Sequence, residues 1–407
     1  MQVQTHDHFL DRRAPAVKGG SYPLGFLRLS GTPKTVIDWA VVIVAVGVLI
    51  TAVGAIGSGF RTAAGDRAEQ LFQFAENPFI GLMIGVLATV LTQSSTTTTS
   101  ITVGLVAGGL PIHIAIPILF GANVGTTLTA QLVALAMAKD KEMFRRGYAA
   151  ASVHDMYNML SVLIFFPLEL AFSPLQRLSG RVSGNVSGEE SGPVGRVFEG
   201  VGTGVGYLTK PGVLLLEWAV SPLDKVTGGV TLVVVGVLLI LAVITLISRM
   251  LKELLVGRAQ RVFDYAIGRG ALTGVLSGAF VTMLVQSSTT TTSLAVPFAA
   301  TGKFSLQQIF HFVVGANIGT TVTALIAAFG FSGIEGQAAL QAALVHLLYN
   351  LMAATLILLT PGLRKLPPRA ASFLARLGTE NTLYIVGWIL LVFLIIPGTL
   401  ILFTVVL

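Results

Sequence analysis

The sequence predicts an all-α polytopic membrane protein made of two inverted-topology repeats, each with a re-entrant helical hairpin. Three observations lead there. Of 407 residues, 53% are hydrophobic and 11% charged, with a mean hydropathy of +0.81, whereas soluble domains carry about 25% charged residues. The octapeptide QSSTTTTS occurs twice, at Gln93–Ser100 and Gln286–Ser293. Lys and Arg fall in clusters that place successive segments on alternate faces of a bilayer.

Composition also excludes several classes. Glycine shows no three-residue period and there is no cysteine, so collagen-like structure, a disulfide scaffold and thiol chemistry are out. The net charge of +7 belongs to the loops that set membrane orientation, so no nucleic-acid partner is expected.

In chain order, residues 1–34 hold Pro15, Pro23, Pro33 and five basic side chains, with no apolar core of a cleavable signal near Met1. They read as a cytoplasmic tail. An apolar run over 36–57 suffices for one helical crossing of about 30 Å of hydrocarbon. Residues 78–170 form the first repeat. Residues 171–227 read as an extracellular linker, because the stretch from Ala171 to Lys210, with its run SGRVSGNVSGEESGP, is too polar and Gly-rich to order itself in lipid. A transmembrane helix over 228–250 leads into the second repeat, 270–361, and a last transmembrane helix occupies 382–407.

Three colinear motif pairs define the repeats. Besides the octapeptide, GANVGTT from Gly121 is answered by GANIGTT from Gly315, and VHDMYN from Val153 by VHLLYN from Val345, at offsets of 193, 194 and 192 residues. A threonine run alone is weak evidence, since membrane helices tolerate hydroxyls by back-bonding. Three pairs in order point to duplication.

With the tail inside, the first helix exits near Gly57 and the first octapeptide enters from outside. A helix from about Ile112 to Ala138 then returns to Lys139, Lys141, Arg145 and Arg146. The 228–250 helix ends at Arg249, Lys252, Arg258, Arg261 and Arg269, so the second octapeptide enters from inside. This orientation puts 19 of 26 Lys and Arg residues in the cytoplasm. Inverted repeats are the arrangement of secondary transporters, with sites where the repeats meet at the midplane.

Each octapeptide lies between apolar arms too short to span, which describes a re-entrant hairpin whose free backbone groups must line a cavity or be buried in protein. The alternative is one long, slightly kinked helix glued to its neighbours by hydroxyls. From Asn77 to Ala138 and from Gly270 to Gly302 there is no charged residue. An anion bound there would rely on N–H groups at half-helix N-termini and on the hydroxyls of Ser94, Ser95, Thr96, Ser287, Ser288 and Thr289. It would also need cations beside it. Sodium suits the amide oxygens of Gln93, Gln286, Asn123 and Asn317 and the hydroxyls of Thr126, Thr127, Thr320 and Thr321. Anion and sodium would thus need each other, a physical basis for coupling.

GAN[VI]GTT lacks the lysine of a phosphate loop, which disfavours ATP chemistry; close helix packing through its glycines is compatible with ion coordination. Asp155 is the one acid between Met143 and Pro167, opposite Leu347 in the second repeat. It is either a sodium ligand or, lying near the Arg145 and Arg146 loop, merely a solvated or paired residue. His154 and His346 recur together and suit hydrogen-bonded packing.

At these residues the sequence resembles the type II sodium-dependent phosphate cotransporters. NPFIGLMIGVLATVLTQSSTTTTS, GANVGTTLTA and FRRGYAAASVHDMYNMLSVLIFFPLE are similar to the first-half signature of that family, and QSSTTTTS with GANIGTTVTA to the second. The resemblance implies sodium-driven import of inorganic phosphate across a cell membrane by alternating access, both QSS segments forming the central site, with Na+ as coupling ion and no organic cofactor. It implies that Asp155 matches the acid associated with an extra sodium and electrogenic transport in some members. Vertebrate members have a longer, cysteine-bearing loop, so the short Cys-free linker implies a bacterial homologue.

Two rivals stand beside this reading. The same site could take another oxyanion such as sulfate or arsenate. An intramembrane serine hydrolase would use Ser, His and Asp at membrane depth, but one activated serine gives no reason to duplicate the octapeptide, and no enzyme is expected.

Overall fold

The computed structural model describes residues 23, 31–65, 76–187, 193–266 and 270–406. The expected N-terminal tail lies outside them, except residue 23 and the last four positions, which belong to the first helix. In order the elements are α1 (Gly31–Ala64), α2 (Pro78–Thr92), α3 (Ser95–Ala107), α4 (Ile112–Gly125), α5 (Leu128–Leu135), α6 (Lys141–Phe172), α7 (Pro174–Ser187) and α8 (Pro193–Val220). They continue with α9 (Lys225–Ala266), α10 (Ala271–Val285), α11 (Ser288–Ala300), α12 (Leu306–Ala328), α13 (Gly333–Leu359), α14 (Pro361–Glu380), α15 (Thr382–Leu390) and, after a π turn at Leu391–Ile395, α16 (Ile396–Val406). Among the described residues there is no strand. Among the described residues seven helical stretches are long and apolar enough to cross a bilayer, so this is a multi-pass α-helical membrane protein.

Burial is inverted relative to a soluble fold. Leu91 and Leu359 are 79% and 76% exposed while Thr99 and Thr127 are wholly buried. In hydrocarbon an outward leucine costs nothing, whereas a hydroxyl or peptide group must find its partner inside the protein.

Within each half, the helix before the octapeptide packs backbone to backbone on the helix carrying the GAN motif. A methyl group on Gly85 would fall on the Ile118 carbonyl, one on Gly121 on the Leu82 carbonyl, and one on Gly125 2.6 Å from the Val86 carbonyl. The second half repeats this: Gly278 meets the Phe312 carbonyl, Gly315 that of Val275 and Gly319 that of Ala279. Small residues at four-residue spacing let membrane helices approach this closely, and dispersion then replaces the absent hydrophobic drive. The glycines of GAN[VI]GTT are therefore packing residues.

The single kinked helix is excluded. Gln93 and Gln286 each end a helix with φ 54, and the next residue, Ser94 or Ser287, is extended (φ −153 and −154) and caps a new helix. Serine favours that position because its oxygen accepts from the third residue on. At the first tip the chain bends sharply: Thr89 Oγ1 donates to Thr98 Oγ1 at 2.8 Å, whereas nine residues of continuous helix would separate them by about 13 Å.

The segment 171–227, expected as an extracellular linker, is largely helical. It forms α7 and α8, with residues 188–192 between them outside the described set. Helix α8 packs along α1: Gly212 sits on Thr51, Gly54 on Val213, and Ser58 donates to Glu217 at 2.5 Å. The glycine-rich composition hid an amphipathic period that continues into the apolar VLLLEWAV from Val213, whose outward side chains include Leu214, Leu215 and Trp218. Helix α9 also runs beyond the expected 228–250.

Candidate functional site

The two octapeptide tips are built alike. Gln93 Nε2 donates to the Val90 carbonyl at 2.7 Å and Gln286 Nε2 to that of Met283 at 2.6 Å. The amide oxygens accept from Thr129 and Thr323 respectively. Those threonines belong to the repeated TLTA and TVTA that close the GAN motifs; sequence reasoning passed over them, although their recurrence was visible. Ser94 Oγ accepts from Thr97 N, and Ser287 Oγ from Thr290 N, both at 3.1 Å. Each serine pair thus stands at the positive end of a helix, where first-turn N–H groups suit an anion.

Beyond the tips the halves differ. Ser95 Oγ accepts from Thr126 Oγ1 at 2.7 Å, while Thr320 turns back to the Ala316 carbonyl at 3.0 Å and Thr321 to Ile318 at 2.7 Å. In the first octapeptide every residue from Ser95 to Ser100 is buried; in the second, Ser288 is buried but Thr289 and Thr290 are half-buried. Thr96 of the first octapeptide shares a cavity of about 220 Å³ with Gln286 and Thr323. Its other walls, including Trp39, Val42 and Ile244, are apolar, so polar contacts are confined to that threonine–glutamine rim.

The helices after the tips are exchanged between halves. α3 packs on α1, α12 and α13, and α11 packs on α5 and α6 as well as α12. The exchange is locked by crossed side chains. His154 Nε2 lies 2.6 Å from Asn317 Oδ1, and His346 Nε2 lies 3.3 Å from Asn123 Oδ1. Asn158 joins the two sets, donating to the Asn123 carbonyl at 2.7 Å and accepting from Asn317 Nδ2 at 2.6 Å. All these side chains are buried. Asn123 and Asn317, expected as sodium ligands, have their side-chain oxygens against histidines here.

Asp155 is fully buried. One carboxylate oxygen accepts from Thr127 Oγ1 at 3.2 Å; the other accepts from Gln131 Nε2 at 3.2 Å and Trp388 Nε1 at 3.0 Å. Tyr148 in turn donates to Gln131 Oε1 at 2.7 Å. The partnership with Arg145 and Arg146 is not formed: both pair with Glu142, at 3.0 and 2.9 Å. Gln131, four residues after Thr127 on the same helical face, was readable as a companion. Trp388 was not, because only tertiary structure brings the last spanning helix to α6.

A profile of the Na+/Pi-cotransporter family matches residues 40–171 and 238–364, taking in both octapeptides, both GAN motifs, both His–Asn pairs and Asp155. The chain belongs to the Na+/Pi-cotransporter family. Among curated proteins it is similar to sodium-dependent phosphate transport protein 2A of Ovis aries, 30% identical over 84% of this chain and 64% of that protein. It is also similar to protein 2B of Bos taurus, 30% identical over 84% of this chain and 61% of the bovine one, and to 2B of Homo sapiens, at 28%, 84% and 62%. The chain thus spans just under two thirds of these relatives. No solved structure matches it. Membership of a transporter family removes the hydrolase reading.

Proposed function

We propose that this chain imports inorganic phosphate together with sodium by alternating access across a cell membrane, its N-terminus cytoplasmic. The observation that carries this reading is the pair of octapeptides, each beginning a helix at its serine pair and each seated against the other half of the molecule. In this reading the halves are inverted repeats and the two tips share one site near the midplane. Ser94, Ser95 and Thr96 with Ser287, Ser288 and Thr289 hold the phosphate through hydroxyls and first-turn N–H groups. No basic side chain lies in either hairpin, so sodium supplies the neutralising charge. Gln93 with Thr126 and Thr127, and Gln286 with Thr320 and Thr321, are the sodium ligands, Asn123 and Asn317 contributing once their histidine contacts part.

Asp155 takes a further sodium on the oxygen facing Thr127. The other oxygen already accepts two N–H donors, which repel a cation. Sodium-dependent uptake of labelled phosphate by the purified protein in liposomes tests the proposal. Uptake indifferent to sodium, or a preference for sulfate over phosphate under the same gradient, would replace it.

A further inference from the structure

Away from the octapeptides, a cavity of about 520 Å³ opens between the start of α6, the turn after α11, the start of α12 and α14. Its lining includes Arg145, Arg146, Gly302, Ser305, Ser372 and Arg376. No octapeptide residue lines it, and neither does Asp155. Its charge is unbalanced. Three guanidinium groups meet one carboxylate, Glu142, which is shared by Arg145 and Arg146; among the described residues no carboxylate pairs with Arg376. Lys303 stands beside Gly302, stacked on Phe298 and Phe304 at 5.0 and 5.4 Å from the ring centres.

The backbone is shaped around these groups. Gly302 has φ +77, a turn that favours glycine, and Arg146 Nη1 lies 2.6 Å from where a Cβ there would stand. Ser305 closes a capping box at the start of α12, so the positive end of that helix opens onto the cavity. The fourth wall, α14, buries Ala371, Leu374 and Ala375 while Leu366 and Phe373 point outward among Arg364, Lys365 and Arg369. That is the pattern of a helix lying in a membrane interface, the level at which lipid phosphates sit.

We propose that this cavity binds a phosphate-bearing anion, either the headgroup phosphate of an anionic lipid or free inorganic phosphate, at a site separate from the octapeptides. Guanidinium groups meet phosphate oxygens with paired, charge-assisted hydrogen bonds, and the volume falls within the roughly 300–1,000 Å³ of small-ligand sites. The proposal does not rest on the transport reading, because its test reads binding.

The full-length protein is placed in nanodiscs in two arms. In the first, phosphatidic acid is diluted into phosphatidylcholine and lipid retention is counted by native mass spectrometry. In the second, labelled inorganic phosphate is titrated into phosphatidylcholine discs with choline replacing sodium. In at least one arm, Arg376→Gln weakens binding about tenfold, Arg376→Lys less, and Arg145→Gln combined with Arg376→Gln more, while Arg364→Gln leaves it unchanged. Arg376 and Arg364 are both exposed, so these single changes spare the fold. A response in the first arm assigns the site to lipid, and one in the second to free phosphate. If the wild type binds neither ligand, or if Arg376→Gln and Arg364→Gln behave alike in both arms, the proposal is wrong.

Discussion

His154 Nε2 stands 2.6 Å from Asn317 Oδ1, joining a histidine of the first half to an asparagine of the second, and His346 reaches Asn123 in the reciprocal sense at 3.3 Å. The four residues come from two recurring motifs, and the structure pairs each motif with the other one across the halves. Removing one member leaves a buried polar group facing nothing, which costs about 1–3 kcal/mol. A double-mutant cycle on His154→Ala and Asn317→Ala is expected to show a coupling of about 1 kcal/mol in thermal stability, and the longer His346–Asn123 contact a smaller one. Additivity within error at the first pair would mean that the contact carries no energy.

The glutamines at the tips are held identically, so their loss should be felt equally. Gln93→Ala and Gln286→Ala are each expected to abolish sodium-coupled phosphate uptake while the protein still inserts, and Thr129→Val and Thr323→Val to reduce it. Normal uptake by either glutamine variant would show that the two tips do not share a site.

Gly85→Ala and Gly278→Ala force a methyl group into a facing backbone carbonyl. Overpacking of this kind costs about 1–3 kcal/mol, so both melt several degrees lower. A Cβ at Gly47 would meet nothing within 4 Å, and Gly47→Ala should be neutral or slightly stabilising. Thermal unfolding in one detergent compares all three.

The proposed sidedness is open to labelling, since the chain has no cysteine of its own. Asn185→Cys on α7 is expected to react with an impermeant thiol reagent on intact cells, and Lys139→Cys only after permeabilisation; both wild-type side chains are exposed. The opposite pattern would overturn the orientation and the inverted repeat with it.

Phosphate carries between one and two negative charges near neutral pH, so two sodium ions leave transport nearly neutral and a third makes it carry positive charge inward. Wild-type uptake is therefore expected to produce an inward current, and Asp155→Gly to abolish it with one fewer sodium per phosphate. Leu347 at the matching position shows that the fold does not require an acid there. An unchanged current per phosphate in Asp155→Gly would remove Asp155 from the sodium ligands. Trp388→Phe, which deletes one of the two N–H donors opposing a cation, should raise apparent sodium affinity in the same recording.

Sequence alone determined that this chain lives in a membrane, that it is doubled, and that polar octapeptides interrupt its apolar segments. Each of those properties is local: apolar length sets the solvent, recurrence in the same order at nearly constant offset sets the duplication, and a run of hydroxyls sets the cap at Ser94 and Ser287. The same locality explains why the helices of 171–227 are not legible: the stretch to Lys210 is rich in glycine and serine, and the partner of α8 lies more than a hundred residues away at Thr51 and Ser58. Tertiary structure decided what each polar group faces. It gave the oxygens of Gln93 and Gln286 to Thr129 and Thr323, turned Asn123 and Asn317 toward histidines of the opposite half, and brought Trp388 to Asp155 while Arg145 and Arg146 went to Glu142. Apart from Glu142 with Arg145 and Arg146, three and four residues along one helix, no spacing in the chain encodes those pairings, because they follow from the helix contacts made through Gly85, Gly121, Gly278 and Gly315.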